Sequence, residues 1–465
     1  SRRCAARPGG SSPALADRPA AARAAAAAYP VGAMTGILLS LLLAAGSGSG
    51  GFGGGGGGGG GGSGGAGGGG SVGPWWLSLL IIGVIALGIV AAAVAAWRYR
   101  RRRRERVGRV ELAAEEARMD DADFDPDAVR AAARELFVEI QRLWSEGDVE
   151  GLAERVGPDL MVEWRRRLDD FARKGWRNVV EVRSGPDVEY VGLVNRAGEA
   201  EDRVVVRVTA RLEDFVRDRD GGAVLKDGER STSTTLTEWW TLEPPGERWR
   251  LLSIEQEAEG RHHLDAPVVP VPWEDGRVRD EAVVEGAVAA SLPEGARIGE
   301  LADPDMAADA RAAALDLASV DGRFAPDVLE AAVRRAVAGW LEAVDGDDGP
   351  LRAVASPGAA EALLYGDDET RRTRTVVRGL RVERVTIVAL DAASEPARMV
   401  VEVEARGRRY VEDRDTADVV SGSKDADRRL AQRWTFALDG ADATPWRLAE
   451  VASQASGPAP SPART

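Results

Sequence analysis

The sequence predicts an α+β protein in which two tandem domains follow a single hydrophobic helix. Three observations lead to this prediction. Residues 75–97 carry no charge, two later segments each show helical periodicity followed by alternating strand patterns, and these segments share short motifs in the same order. Helices followed by a run of antiparallel strands are typical of the α+β class. The length of 465 residues suits two or three domains.

The composition of the N-terminal part is typical of targeting and linker segments, and we expect no folded domain there. Residues 1–33 are a low-complexity Ala/Arg/Pro segment, and residues 34–46 form a short apolar run that resembles the core of a signal peptide. Residues 47–73 are dominated by glycine, which predicts a disordered tract. Whether the apolar run is cleaved stays open, as does the true start of the chain.

Residues 74–97 predict a transmembrane helix. The uncharged stretch from Trp75 to Trp97 is long enough to cross about 30 Å of hydrocarbon. Four aromatic residues suit the two membrane interfaces: Trp75, Trp76, Trp97 and Tyr99. A basic cluster follows directly: Arg98, Arg100, Arg101, Arg102, Arg103, Arg104 and Arg106. The positive-inside rule therefore predicts a single-pass protein of the cell membrane with its C-terminal domains in the cytoplasm.

The charge distribution separates the basic anchor from an acidic remainder. Residues 1–109 carry 13 Arg against one Asp and one Glu, a net charge of +11. Since the whole chain has a net charge of −14, residues 110–465 carry −25. Such a surface repels phosphate backbones, so nucleic acid is not expected as a partner. We interpret residues 98–123 as a basic and then charged connector.

The first predicted domain covers residues 124–260. Asp125 and Pro126 suit the cap and first position of a helix, which is followed by a short helix and a third one after Pro158. Alternating Val and Arg residues from 203 to 212 predict a half-buried strand, and strands follow near residues 235–242 and 249–254.

The second predicted domain, residues 305–455, repeats this order after a linker over residues 261–304. Phe324 to Asp327 matches Phe124 to Asp127, and Trp434-Thr435-Phe436 matches Trp240-Thr241-Leu242. Several matches in one order indicate a divergent duplication. Residues 456–465 are a Pro/Ser tail that we expect to be disordered.

These motifs resemble the Tim44-like domain of bacterial membrane proteins, whose cone-shaped fold is that of nuclear transport factor two. The resemblance rests on the opening Phe124-Asp125-Pro126, the helix aromatics Phe137 and Trp144, and the closing pair Trp240 and Trp249. It implies about three helices on a curved antiparallel sheet in each copy. In that family the domain is a scaffold that holds a chaperone motor at a translocation channel and touches anionic lipid.

The candidate site residues are aromatic side chains that either fill the core or line a pocket in each cone. They are Phe137, Trp144, Trp164, Trp240, Trp249, Trp340, Trp434 and Trp446. Periodic aromatics usually pack in a core, and we favour that interpretation. An apolar pocket between helices and a curved sheet is the alternative, and it would suit a lipid tail or a peptide segment.

Two further motifs are assigned to solvated surface. Residues 261–265 contain both histidines of the chain, His262 and His263, but no third ligand at a recognised spacing, so we interpret them as linker. Residues 217–220 and 412–415 are charged runs at strand ends, which we interpret as hairpin charge ladders, with a partner-binding edge as the alternative.

The function expected from the sequence is a membrane-anchored, non-enzymatic scaffold or binding module, with a link to protein translocation or membrane-associated assembly. The expected partners are the lipid bilayer and a cytoplasmic protein. We expect no catalytic, cofactor or metal site. The single cysteine, Cys4, excludes a disulfide framework and a cysteine-based zinc site. Two alternatives remain: a module that binds lipid or a small molecule in its pocket, and an enzyme of the cone fold.

Overall fold

The computed structural model describes residues 75–198, 201–224, 232–244, 248–291, 310–366 and 368–452. Of the segments predicted above, residues 1–33, 34–46, 47–73 and 456–465 lie outside this part, as do residues 292–304 of the linker. The side chains of residues 75–85, and with them Trp75 and Trp76, are also outside it.

One helix, α1, runs without a break from Trp75 to Ala117. The predicted connector over residues 98–123 is thus helical over residues 98–117, which continue α1. Val110, Ala114 and Ala117 are fully buried in the first domain. Within the described part of the chain, no helix has an apolar segment long enough to cross a membrane.

Copy 1 continues with a short 3₁₀ turn, Ala122–Phe124, and three helices: α2 (Pro126–Glu146), α3 (Val149–Arg155) and α4 (Pro158–Lys174). The side chain of Asp125 accepts hydrogen bonds from the first backbone amides of α2, as the sequence predicts. Gly147 ends α2 with φ at 70°, a left-handed conformation that glycine adopts without steric cost.

An antiparallel sheet of five strands follows in copy 1. Its strands are β1 (Arg177–Val194), β2 (Arg203–Arg217), β3 (Ala223–Val224), β4 (Thr232–Glu243) and β5 (Arg250–Gln256). The order is β1-β2-β4-β5, with β3 beside β2. The sequence did not predict β1, because Ser184-Gly185-Pro186 has the composition of a turn. In the structure, β1 continues through these residues, and its pairing with β2 is irregular there.

Copy 2 repeats this arrangement. Its helices are α5 (Gly276–Ala289), α6 (Ala310–Ala318), α7 (Pro326–Asp345), α8 (Gly349–Val354) and α9 (Pro357–Tyr365). Its sheet has the order β6 (Thr373–Asp391), β7 (Arg398–Asp413), β8 (Val419–Ala437) and β9 (Arg447–Ala452). Helix α5 lies inside the predicted linker, but its Val284 and Ala287 belong to the core of copy 2.

Equivalent pairings confirm that the two copies share one fold. Trp240 lies opposite Val206 in the first sheet, and Trp434 lies opposite Val401 in the second. In copy 2, α6 precedes the Phe324 turn, and in copy 1 the end of α1 precedes the Phe124 turn. The last turns of α1 therefore serve as the opening helix of copy 1. The predicted α+β class, with helices packed on antiparallel sheets, is confirmed.

The middle of α1 packs on the face of the first sheet that points away from α2. Tyr99 and Val107 contact a small apolar cluster around Trp239 on this face. Arg106 is buried beside them and donates hydrogen bonds of 2.7 Å to the carbonyl oxygens of Val191 and Ala266. Burial lowers the pKa of Arg106 to about 10.

We expect Arg106→Gln to loosen α1 from the sheet, because two buried carbonyl groups lose a charged donor. The expected cost is about 2 kcal/mol, equivalent to about 30-fold faster amide hydrogen exchange across residues 103–117. Arg104→Gln is the matched control, since Arg104 is exposed on the same helix. Equal exchange in the two variants would show that Arg106 does not hold the helix.

Candidate functional site

A cleft with a volume of about 1470 Å³ lies between the two copies. Its apolar floor includes Met161 and Leu252 of copy 1 and Ala338, Gly339 and Leu341 of copy 2. Its rim is charged, with residues from α1, α4, α5, α7 and β6. The cleft exceeds the volume of about 300–1,000 Å³ that is usual for small-molecule sites. Its size and mixed lining suit an extended amphipathic ligand.

The rim charges are largely engaged with one another. Arg196 lies 3.0 Å from Glu342, and Arg277 lies 2.5 Å from Glu201. Arg250 pairs with Glu243 at 2.6 Å. Because acidic partners accompany these arginines, the cleft does not form the uniform basic surface that a nucleic acid requires.

The aromatic residues named from the sequence fill the cone interiors. Phe137 and Trp240 lie with ring centroids 5.2 Å apart, and Trp144 meets the edge of Trp164 at 5.3 Å. Trp249 is half-buried. The other seven are buried: Phe137, Trp144, Trp164, Trp240, Trp340, Trp434 and Trp446. None of the eight belongs to the described lining of the cleft. Their packing supports the core interpretation over the pocket one.

The basic cluster is partly used inside the protein. Arg103 pairs with Glu189 at 3.2 Å, Arg102 pairs with Asp265 at 2.6 Å, and Arg106 is buried. Five members of the cluster lie exposed on α1, including Arg102 despite its ion pair: Arg98, Arg100, Arg101, Arg102 and Arg104. Three members of the predicted basic cluster, Arg102, Arg103 and Arg106, thus contact copy 1 or the segment that follows it.

Trp97 and Tyr99, which the sequence places together at one membrane interface, have different surroundings. Trp97 is exposed. The hydroxyl group of Tyr99 instead donates to the Glu257 carboxylate, and the Arg261 guanidinium lies 4.9 Å from the ring centroid. Burial, reinforced by Glu257, raises the pKa of Tyr99 to about 12. Tyr99 therefore contacts copy 1, in contrast to its predicted place at the membrane.

The two copies are joined by buried ion pairs on α4. Asp159 pairs with Arg374 of β6 and, at 3.0 Å, with Arg414 in the turn after β7. Arg414 also lies 3.6 Å from Glu163. Burial, reinforced by the nearby Arg414, lowers the pKa of Arg374 to about 9. Separating the copies would take Asp159 away from both arginines.

This contact corrects the interpretation of residues 412–415 as a solvated charge ladder. Arg414 is buried, and Asp415 pairs with Arg166 at 3.0 Å across the copies. The matching residues 217–220 of copy 1 are exposed. Ala417 in the same turn enters the apolar core of copy 1. Residues 412–415, for which a partner-binding edge was the alternative interpretation, therefore contact copy 1.

Residues 259–264 form a 3₁₀ helix at the cleft, in place of the predicted solvated linker. His262 and His263 on this helix line the cleft and are mostly shielded from solvent. Their Nε2 atoms lie 2.8 and 3.0 Å from the two carboxylate oxygens of Glu255, which is itself buried in β5. The donor atoms of all three side chains lie within 4.8 Å of one another. Glu255 is the third ligand group that the sequence spacing did not reveal.

The charge states in this cluster follow from burial. Burial, reinforced by His262, lowers the pKa of His263 to about 4 despite the nearby Glu255. Burial alone would raise the pKa of Glu255, but His262, His263 and Arg378 hold it well below its usual range. At neutral pH the cluster therefore presents an ionised carboxylate and an uncharged His263 imidazole.

Arg378 of copy 2 connects this cluster to the inter-copy contact. Its Nη1 atom lies 3.8 Å from Glu255, and its Nε atom donates to Glu259 at 3.3 Å. Tyr410 also donates its hydroxyl proton to Glu259. Residues of both copies therefore position the carboxylates of Glu255 and Glu259 next to the two histidines.

A separate buried acid lies inside the cone of copy 1. Glu238 of β4 accepts a hydrogen bond of 2.8 Å from Trp240 Nε1. Burial, partly opposed by this hydrogen bond, raises the pKa of Glu238 to about 8. Copy 2 has Gln432 at the equivalent position, where it accepts from Trp434 Nε1 at 3.2 Å. The shared geometry indicates that this position orients a tryptophan.

Sequence reasoning missed Asp159, Glu255, Arg374 and Arg378. Arg374 and Arg378 lie in a part of β6 that is buried on both faces, so no alternation distinguishes them from surface residues. Glu255 is the penultimate residue of β5 and resembles an ordinary exposed strand end. The surroundings of Asp159, Arg374 and Arg378 depend on the contact between the copies, and those of Glu255 also depend on the 3₁₀ helix that carries the histidines.

Comparison with known proteins agrees with this fold. Residues 110–256 match the family described as the Tim44-like domain, which confirms the resemblance inferred from the sequence. The match begins inside α1, at a residue whose side chain is buried in copy 1. No curated protein matches the chain.

Two solved structures show limited similarity. The intermembrane space region of the chloroplast protein ARC6 is 13% identical, with a TM-score of 0.22, over 27% of this chain and 95% of that chain. An Ntf2-like protein involved in plasmid conjugation is 9% identical, with a TM-score of 0.17, over 68% of this chain and 93% of that chain.

Proposed function

We propose that this chain is a membrane-anchored, non-enzymatic scaffold that binds a cytoplasmic protein segment in the cleft between its two Tim44-like copies. The observation that carries the proposal is the continuity of α1. The same helix contains the uncharged stretch of residues 75–97 and the buried residues Val110, Ala114 and Ala117 of copy 1. An anchor built in this way fixes the orientation of the binding domain instead of tethering it loosely.

The anchoring role is supported by the surface of the apolar half of α1. Leu87, Ile89, Val90 and Trp97 are exposed there, although large apolar side chains are usually buried in soluble domains. Lipid would cover this surface if residues 75–97 cross the membrane. The exposed arginines after Trp97 then support a cytoplasmic position for the two copies.

The binding role is supported by the inter-copy contact. The buried pairs of Asp159 with Arg374 and Arg414 make the two copies one unit, so the cleft walls keep a fixed separation. An apolar floor with a rim of both charge signs suits a protein segment that has one apolar face. A lipid is the alternative occupant, and it would also meet the apolar floor.

A photo-crosslinker in place of Val162 tests this proposal in intact cells. Val162 is exposed on α4 and lines the cleft. Val138 is a matched control, since it is also an exposed valine on a helix of copy 1 but is not part of the cleft lining. We expect a discrete protein adduct from position 162 and none from position 138.

The other outcomes distinguish the alternatives. Adducts of equal yield at both positions would indicate random collision and contradict the proposal. Lipid adducts from position 162, without a protein adduct, would favour the lipid-binding alternative. A protein adduct that belongs to a translocation or chaperone component would extend the family's scaffold role to this chain.

A further inference from the structure

Both histidines of the chain lie next to each other, at the wall of the cleft, against one buried carboxylate. In 465 residues there are two histidines and one cysteine, and that cysteine is Cys4. The chain thus places all of its imidazole groups at Glu255. The scaffold role proposed above does not use this cluster.

The geometry suits a metal ion. Metal–nitrogen and metal–oxygen bonds of about 2.0–2.2 Å place neighbouring ligand atoms about 3 Å apart. The Nε2 atoms of His262 and His263 lie 2.8 and 3.0 Å from the two oxygens of Glu255, and all ligand atoms are within 4.8 Å. An ion between them would replace the two hydrogen bonds without moving the backbone.

The surrounding charges also favour a cation. Glu255 and Glu259 are both buried, and both pair with Arg378, at 3.8 and 3.3 Å. Two carboxylates therefore share one guanidinium group. A divalent ion at Glu255 would add positive charge beside these carboxylates in surroundings of low polarity.

The remaining side of the cluster is open. His262 and His263 line the cleft, so an ion can enter from it and keep one or two positions for water or for an anionic group. Two imidazoles and a carboxylate are ligands that suit Zn²⁺ and other first-row divalent ions. Arg378, held by Glu259, lies 3.8 Å from the Glu255 oxygen that His263 contacts and acts as a positioning residue.

We propose that Glu255, His262 and His263 bind one divalent transition-metal ion, with Zn²⁺ as the preferred metal, at the wall of the inter-copy cleft. The ion would join β5 to the 3₁₀ helix that follows it. It would also offer an open coordination position to a carboxylate or phosphate group inside the cleft.

The test uses the full-length chain in detergent, purified without a histidine tag. After equilibration with Zn²⁺ and dialysis, we expect about one zinc per chain by elemental analysis. Single variants His262→Gln, His263→Gln and Glu255→Gln should each weaken zinc binding by about 100-fold or more, since each removes a ligand. Arg261→Gln is the matched control, because Arg261 is an exposed residue on the same 3₁₀ helix.

A second measurement keeps the test independent of folding defects. In ¹⁵N spectra of the wild-type chain, the side-chain signals of both imidazoles should shift together on zinc addition, and no other histidine can contribute. The proposal is overturned if the wild-type chain retains no zinc, or if zinc binds equally well to both His→Gln variants. Neither result affects the crosslinking test of the scaffold role, which does not depend on the metal.

Discussion

Asp159→Ala is expected to lower the free energy of unfolding by about 4 kcal/mol. The change removes the carboxylate that pairs with Arg374 and Arg414, both of which are buried where the two copies meet. Two guanidinium groups then remain in a poorly solvated environment, and Glu163 can compensate only Arg414. Urea unfolding of the full-length chain, followed by tryptophan fluorescence, measures the effect.

Asp127→Ala provides the matched control. Asp127 and Asp159 each follow the proline at the start of a helix, but Asp127 is 96% exposed and pairs only with the neighbouring Arg130. Its loss should cost about 1 kcal/mol or less. Arg374→Met in the Asp159→Ala background should recover part of the lost stability, because it removes one unpaired charge. Similar costs for the two Asp→Ala variants would contradict a buried inter-copy network.

Glu238→Gln is expected to stabilise the protein by about 3 kcal/mol at pH 7. The unfolded chain ionises Glu238 near pH 4.5, whereas the folded chain keeps the proton until about pH 8. The contribution of Glu238 to stability is therefore complete below pH 4.5 and is lost as the pH rises to 8. Gln cannot ionise, and it can still accept the hydrogen bond of Trp240, as Gln432 does for Trp434.

The measurement is the free energy of unfolding of both proteins between pH 4.5 and 8. The difference should be near zero at the acidic end and grow by about 1.4 kcal/mol per pH unit. Gln432→Glu, the reverse exchange in copy 2, should destabilise the chain less at pH 7 because Gln432 is only half-buried. A difference that does not vary with pH would show that Glu238 is ionised in the folded protein.

Much of the fold follows from local sequence patterns. The helix that begins at Pro126 has its cap, its apolar periodicity and its terminal glycine within one short segment, so it was predicted correctly. The duplication was evident because the Phe124 and Trp240 motifs recur in the same order. Strand β1 was not predicted because Gly185 and Pro186 are typical turn residues. Strand β6 was not predicted because its buried arginines interrupt the apolar pattern of a buried strand.

The candidate site could not be predicted from the sequence, for a different reason. Its parts come from both copies: Glu255 and the histidines from copy 1, and Arg378 and Tyr410 from copy 2. A pattern within one segment cannot show which surfaces of two domains will meet. For the same reason Tyr99 and Arg106, which read as membrane-flanking residues, were not recognised as contacts with the first domain.

Cysteine accessibility in intact cells tests whether one helix crosses the membrane and holds both copies at its cytoplasmic face. With Cys4 replaced by serine, single cysteines are placed at Glu135 in copy 1, at Asp425 in copy 2 and at Ser71 before the helix. Glu135 and Asp425 are exposed on their domains. We predict that a membrane-impermeant maleimide labels the Ser71→Cys variant in intact cells, and labels the other two only after the membrane is opened. Labelling of Glu135→Cys and Asp425→Cys in intact cells would show that the two copies are not on the cytoplasmic side.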